Sequence, residues 1–309
     1  MIPPAVPMVA LPRVIIDDEH GNRVALDDHG HKVYKTLMIV GQSYACDKDC
    51  PYCTAKITQW PTGSDQWQRL GDCLGRIEQA GVRFEYLTIS GNGEPSLQPL
   101  PVLKDIRAVF DQYDHLFTYK RMQTSGNIFF HPERWEMFKD YVFEITRVSL
   151  DDDEDHSVLR APKKYTQSDL FWKSSVVLNH SLLRKNIGTL INDINGYLAR
   201  FPNLHVLNLK ILNVNTLDSQ LVNNSGSQWI LDNAILKEEA DDIADILKKH
   251  FPETDSYHEF YDRIVFEGKT PHGRTVPITF YTRDKNYGLA NIVFYKGELV
   301  DYQLQPKKF

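Results

Sequence analysis

Two spacings of apolar residues alternate along this chain. Apolar runs of strand length stand at Leu37–Val40, Phe84–Ser90, Phe117–Thr124, Phe143–Leu150, Ser175–Asn179 and Leu204–Leu212. Between and after them the spacing turns helical, over Trp67–Ala80, Leu100–Tyr113, Pro132–Tyr141, Ser168–Lys173, Ile187–Phe201 and Lys237–Phe251. In the last of these, Ile243, Ile246 and Leu247 share one face and Pro252 closes the helix. Six strands alternating with helices predict an α/β fold with a parallel sheet. No internal sequence repeat accompanies the alternation.

The ends of the chain follow another rhythm. Residues 1–35 read as an N-terminal segment with a β hairpin, Arg13–Asp17 and Arg23–Leu26, joined at Gly21-Asn22. Its histidines, His20, His29 and His31, stand beside Gly and Asp in turns and read as solvated turn residues rather than metal ligands. Residues 253–309 read as a small C-terminal antiparallel β domain. Its strands are Arg263–Glu267, Thr275–Thr282, Ala290–Tyr295 and Leu299–Leu304, punctuated by Pro271-His272-Gly273, Asn286-Tyr287-Gly288 and Lys296-Gly297. The polar stretch Asn213–Ser227 reads as a long loop.

Composition adds limits. The 309 residues are 42% apolar and 25% charged, near the globular average, so a disordered or fibrous chain is excluded. The formal charge of -6 does not indicate a broad nucleic-acid-coating surface. The start Met-Ile-Pro-Pro-Ala-Val-Pro-Met has no basic region and is broken by prolines, unlike a signal peptide. No apolar stretch approaches the roughly 20 residues that span a bilayer. A cytoplasmic location is therefore expected.

The four cysteines are Cys46, Cys50, Cys53 and Cys73, and none follows. Clustered cysteines in a reducing compartment point to metal or catalysis rather than to a disulfide framework. Cys46-Asp-Lys-Asp-Cys50-Pro-Tyr-Cys53 is a C-x3-C-x2-C triplet just after the first strand of the alternating region. Three thiolates hold three irons of a [4Fe–4S] cubane and leave the fourth open to a small molecule. A zinc site needs a fourth ligand, and Cys73 stands among Leu70, Leu74 and Ile77 on a helix face, where a core thiol is expected. A Cys50–Cys53 redox pair is the third reading, against which the extra Cys46 counts.

In this triplet the sequence resembles the radical SAM superfamily, which carries C-x3-C-x-aromatic-C after the first strand of a partial (β/α)6 TIM-like barrel. Tyr52 occupies the aromatic slot. Some 40 residues on, Ser90-Gly91-Asn92-Gly93-Glu94-Pro95 follows the second strand. It matches the family's Gly-Gly-Glu-Pro motif, with Asn92 in place of a common Gly. The resemblance spans about residues 36–215 and places the barrel at 36–252, most like the molybdenum-cofactor cyclase and peptide-modifying branches.

The resemblance implies the following. Cys46, Cys50 and Cys53 ligate the cluster, and S-adenosylmethionine (AdoMet) binds the open iron. Tyr52 meets the adenine through its backbone, and Gly91, Asn92, Gly93 and Glu94 meet the methionine amino group. Thr124 and Ser125, ending the third strand as Thr-Ser-Gly, face the cofactor. Ser149 and Asp151, in a Ser-Leu-Asp after the fourth strand, meet the ribose region, and Arg160 approaches the AdoMet carboxylate. Asn179, Lys210, Asn213 and Gln123 belong to the strand-end rim where barrel enzymes place their sites.

The implied reaction is reductive cleavage of AdoMet to a 5′-deoxyadenosyl radical, which abstracts hydrogen from, or adds to, a small-molecule, nucleotide or peptide substrate. It takes an electron from a donor such as flavodoxin or ferredoxin and is oxygen-sensitive. The loop 213–227 and the C-terminal strands are expected to close the barrel mouth. The cysteine-free stretch after Cys73 excludes an auxiliary cluster held by thiolates there. The alternatives are a glycyl-radical-type activating enzyme and a non-catalytic metal-binding interaction protein.

Overall fold

β-Branched and aromatic residues build the strands of this protein, and helices of amphipathic spacing follow them. The computed structural model describes residues 14–18, 23–41, 46, 67–91, 93–146, 165–211, 228–229, 232–235, 237–257, 263–281, 291–295 and 297–300. The chain groups into two compact units. One holds Met1–Cys46, Pro61–Phe143 and Tyr287–Phe309, the other Asp47–Trp60 and Glu144–Asn286.

In the first unit, β1 (Val14–Asp17) pairs antiparallel with β2 (Arg23–Leu26), and β2 with β3 (Lys32–Gly41). This is the expected N-terminal hairpin. The turn before β3 is fastened by Asp27, whose Oδ1 accepts from the backbone N–H groups of His29 and His31 at 2.9 and 2.8 Å. The Asp27 carboxylate also pairs with the His31 ring, so these histidines serve a turn, as expected.

Helix α1 (Arg69–Gln79) buries Leu70, Cys73, Leu74 and Ile77, the i, i+3, i+4, i+7 stripe of its sequence. It ends at Gly81, whose φ of +64° suits a residue without Cβ, and β4 (Val82–Gly91) starts at once. Strand β4 lies parallel to β3, in a register that pairs Thr36 with Tyr86 and Gly41 with Gly91. Helix α2 (Leu100–Gln112) presents Leu103, Ile106 and Phe110 to the core. It leads to β5 (Phe117–Thr124), parallel to β4. Helix α3 (Pro132–Phe138) follows, and then β6 (Val142–Thr146), whose residues from Glu144 on belong to the second unit. Residues 147–150, the rest of the strand expected to Leu150, lie outside the described residues.

In the second unit, α4 (Asp169–Trp172) is capped by Ser168, whose Oγ accepts from the Leu170 N–H. Strand β7 (Val176–Leu182), helix α5 (Leu190–Arg200) and strand β8 (Leu204–Ile211) form a strand–helix–strand unit with β7 and β8 parallel. Helix α6 (Lys237–His250) buries Ile243 and Leu247. Strand β9 (Glu253–Tyr257), not expected from the sequence, pairs antiparallel with β10 (Arg263–Lys269), and β10 pairs antiparallel with β11 (Thr275–Tyr281), as expected. The sequence did not indicate that β11 also pairs with β8, in parallel, with Thr279 opposite Asn208 and Tyr281 opposite Lys210.

The last strands belong to the first unit. β12 (Asn291–Tyr295) pairs antiparallel with β13 (Glu298–Val300), as expected, and parallel with β3. Ile292, Val293 and Phe294 are all buried, and the Trp67 ring stacks on Phe294 at 5.9 Å. A strand buried on both faces reads as a continuous apolar run, and Ile292–Phe294 is one.

The fold class is therefore mixed α/β, with largely parallel strands and antiparallel strands at the C-terminus. Among the described residues no helix is long and apolar enough to cross a membrane.

Candidate active site

The register of β3 against β4 sets the geometry. Gly41 ends β3 opposite Gly91, which ends β4, and the strands are parallel. The two strand ends therefore lie side by side at the C-terminal edge of the sheet. Cys46 stands five residues after Gly41 and is exposed. Gly93 and Glu94 stand two and three residues after Gly91.

Glu94 is buried to 1% exposure, which demands partners for a carboxylate. It has four hydrogen bonds. Oε1 accepts from the Ser96 N–H at 3.2 Å, the Ser96 hydroxyl at 2.6 Å and the Thr124 hydroxyl at 2.8 Å. Oε2 accepts from the Ser125 N–H at 2.5 Å. The carboxylate thus caps the 3-10 turn Pro95–Leu97 and joins the turn after β4 to the end of β5.

The Thr-Ser-Gly that ends β5 has a role for each residue. The Thr124 hydroxyl donates to Glu94 and accepts from the Gly126 N–H at 3.0 Å. Gly126 has φ +93°, a left-handed conformation costly for any residue with a Cβ. The Ser125 N–H completes the Glu94 set, and its side chain is half-buried at the strand end. Ser90 and Gln123, just below on β4 and β5, are joined by Ser90 Oγ donating to Gln123 Oε1 at 2.7 Å. From α3, Arg134 donates to the Ser96 and Gln98 carbonyls and holds the turn from behind.

Cys73 is 1% exposed on the core face of α1. Its Sγ accepts from Arg76 at 3.1 Å and lies 3.8 Å from the Gly297 carbonyl oxygen. It is a core thiol, as its helix spacing predicts, and so stands apart from the Cys46, Cys50 and Cys53 triplet of the sequence. A set of three thiolates suits a cubane with one open iron better than a four-coordinate zinc. Beside the occupied Glu94 carboxylate, Gly91 and Gly93 are half-buried.

Cys50, Cys53, Tyr52, Asn92, Ser149, Asp151, Arg160 and Asn213 lie outside the described residues. Of the other rim candidates, Asn179 and Lys210 meet at Glu144, a buried carboxylate that motif reading passes over. Its signal was a lone acidic residue within the apolar run Val142–Ile145.

The chain resembles radical SAM enzymes in its cysteine triplet and in the turn after β4. No protein-family model matches the sequence, and no curated protein does. Among solved structures, native anSMEcpe with bound AdoMet and Cp18Cys peptide is similar at 15% identity and a TM-score of 0.48, over 71% of this chain and 60% of that one. Streptococcus suis SuiB bound to precursor peptide SuiA is similar at 13% identity and a TM-score of 0.47, over 72% of this chain and 48% of that one. The chain thus spans less than two thirds of either protein's length.

Proposed function

We propose that this chain is a radical SAM enzyme that binds one [4Fe–4S] cluster through Cys46, Cys50 and Cys53 and uses AdoMet. The observation that carries the reading is the Gly41–Gly91 register. Gly41, five residues before Cys46, and Gly91, two residues before Gly93, end neighbouring parallel strands at the edge where α/β sheets bind ligands, which supports the reading. Cluster and AdoMet together would supply one-electron reductive cleavage, with the electron from a flavodoxin- or ferredoxin-type donor, to start radical chemistry on a substrate.

The chain's own residues position and shield. Glu94 caps Pro95–Leu97 and ties that turn to the end of β5, and on this reading it holds the neighbouring backbone for AdoMet before binding. Gly126 gives the β5 turn its left-handed bend, and Ser125 stands beside it. Tyr52, Asn92, Ser149, Asp151 and Arg160 are assigned to the remaining AdoMet contacts from the motif resemblance.

The test is anaerobic reconstitution followed by iron and sulfide analysis. About four irons and four sulfides per chain are expected, lost in Cys46→Ala. Stoichiometric zinc without sulfide would replace this reading with a zinc-binding interaction protein.

A further inference from the structure

Across β7, β8 and β11 one face carries polar side chains in register. Asn179 lies opposite Asn208, Asn208 opposite Thr279, and Lys210 opposite Tyr281. The other face carries Leu207 and Leu209, fully buried, and His180, whose ring bonds the Tyr197 hydroxyl of α5. A polar face on a parallel sheet is unusual, because such sheets are normally apolar on both sides.

The polar residues form one connected set of hydrogen bonds that converges on Glu144. Asn208 Nδ2 donates to Asn179 Oδ1 at 2.9 Å, and Asn179 Nδ2 donates to Glu144 Oε1 at 2.7 Å. Lys210 Nζ donates to the same Glu144 oxygen at 2.9 Å. Glu144, Asn179 and Asn208 are buried, while the Lys210 side chain keeps 39% of its surface exposed. One arm of the set is therefore a half-exposed ammonium beside the Tyr281 ring, 5.9 Å from its centroid.

We propose that Lys210 is a substrate-binding residue that donates to an uncharged carbonyl oxygen, as in an amide. Glu144 and Asn179 act as the positioning residues behind it, and Asn208 offers its amide oxygen beside it. An ammonium has three donors, and Glu144 takes one. The Glu144 charge 2.9 Å away already neutralises Lys210, so a carboxylate or phosphate would meet a buried like charge next to its partner. A neutral carbonyl meets no such repulsion. Moreover, Asn208 uses its NH2 on Asn179 and keeps Oδ1 as an acceptor two residues before Lys210 on the same strand face. An acceptor and a donor at i and i+2 complement the N–H and C=O of an extended amide-bearing segment. Lys210 is also the penultimate residue of β8, at the C-terminal edge where sheets of this class place their sites.

Naming this ligand a substrate rests on the radical SAM reading; the binding itself does not. The test is saturation-transfer NMR on the full-length chain as isolated, without AdoMet or reductant. The probes are N-acetylglycine N-methylamide, acetate and inorganic phosphate. The diamide is expected to bind, and Lys210→Met to weaken it roughly tenfold, the worth of one hydrogen bond to a charged group. Because Lys210→Met strands a buried carboxylate, Lys210→Met with Glu144→Gln is measured as well, and it should fold and show the same weakening. Wild-type diamide binding in that folded double variant would overturn the proposal. So would Lys210-dependent binding of acetate or phosphate in place of the diamide. Because no cofactor is present, either failure leaves the AdoMet reading to its own iron and product measurements.

Discussion

The Thr124 hydroxyl donates to Glu94 Oε1 at 2.8 Å, so the last residue of β5 and the turn after β4 share one buried carboxylate. This makes Glu94 a positioning residue. Its side chain is fully engaged, so under the proposed function its effect on AdoMet would pass through the backbone that it orders.

Removing either partner should therefore cost stability as well as activity. Thr124→Val keeps the shape and loses a hydrogen bond to a charged acceptor, an expected cost of about 1.5–3 kcal/mol by denaturant unfolding. Glu94→Gln keeps the volume but turns an amide NH2 toward groups that themselves donate. AdoMet cleavage should fall roughly 10- to 100-fold from misplacement of the turn. A Glu94→Gln protein with wild-type stability and turnover would show that the carboxylate network has no positioning role.

The two described cysteines should separate cleanly. Cys73→Ala removes a small buried group and is expected to cost about 1 kcal/mol, with iron content unchanged. Cys46→Ala should leave the unfolding midpoint of the iron-free protein in place and remove the iron. Iron lost from the Cys73 variant, in protein that still folds, would return Cys73 to the ligand set.

The C-terminal strands are structural partners of the parallel strands. Deleting 287–309 takes β12 from the edge of β3 and exposes the surface that Ile292, Val293, Phe294 and Leu299 cover. At about 1.5–3 kcal/mol per buried apolar side chain, the loss rivals the whole stability of a typical domain. The truncated chain is expected to be insoluble or to lose its cooperative unfolding transition. A soluble truncation with a native midpoint would contradict the β12–β3 pairing.

His205, half-buried on β8, should make the protein acid-sensitive. Burial lowers its pKa, and the positive charge of Arg274, which donates to the Leu204 and Pro202 carbonyls, lowers it further. A histidine with a depressed folded-state pKa favours the neutral form in the folded state. Its contribution is therefore full above the unfolded value, about 6.5, and is lost as pH falls through the folded value. The thermal midpoint should drop on going from neutral pH into the acid range, and His205→Gln should reduce the drop. An equal drop in wild type and variant would remove His205 as the cause.

Much of this was legible in the sequence, for physical reasons that differ by element. Strand β5 falls at Phe117–Thr124 as expected, bounded by a helix end before it and Gly126 after it. Helix α1 shows its core stripe directly in the spacing of Leu70, Cys73, Leu74 and Ile77. The partners of β11 and β12 were less accessible. Alternation and turns indicate which strands are hairpin neighbours, but not that a strand's other edge returns to β8 or β3. The clue lay in depth of burial: Ile292, Val293 and Phe294 form an unbroken apolar run, the mark of an interior strand. At the site, the Gly-Asn-Gly-Glu motif located the turn. That Ser96, Thr124 and Ser125 consume the Glu94 carboxylate depends on side-chain geometry across β4 and β5, and no local pattern encodes it. Glu144 was hidden for the opposite reason: it carries no motif, only a charge where a strand should be apolar.

AdoMet cleavage at a cluster held by three cysteines is the central proposal for this chain. Its most direct test is 5′-deoxyadenosine release by the reconstituted, dithionite-reduced chain supplied with AdoMet under strict anaerobiosis. The expected result is release that depends on reductant and is abolished in Cys46→Ala. A chain that carries its full iron and sulfide, binds AdoMet and still releases no 5′-deoxyadenosine, alone or with amide-bearing substrates, would contradict it.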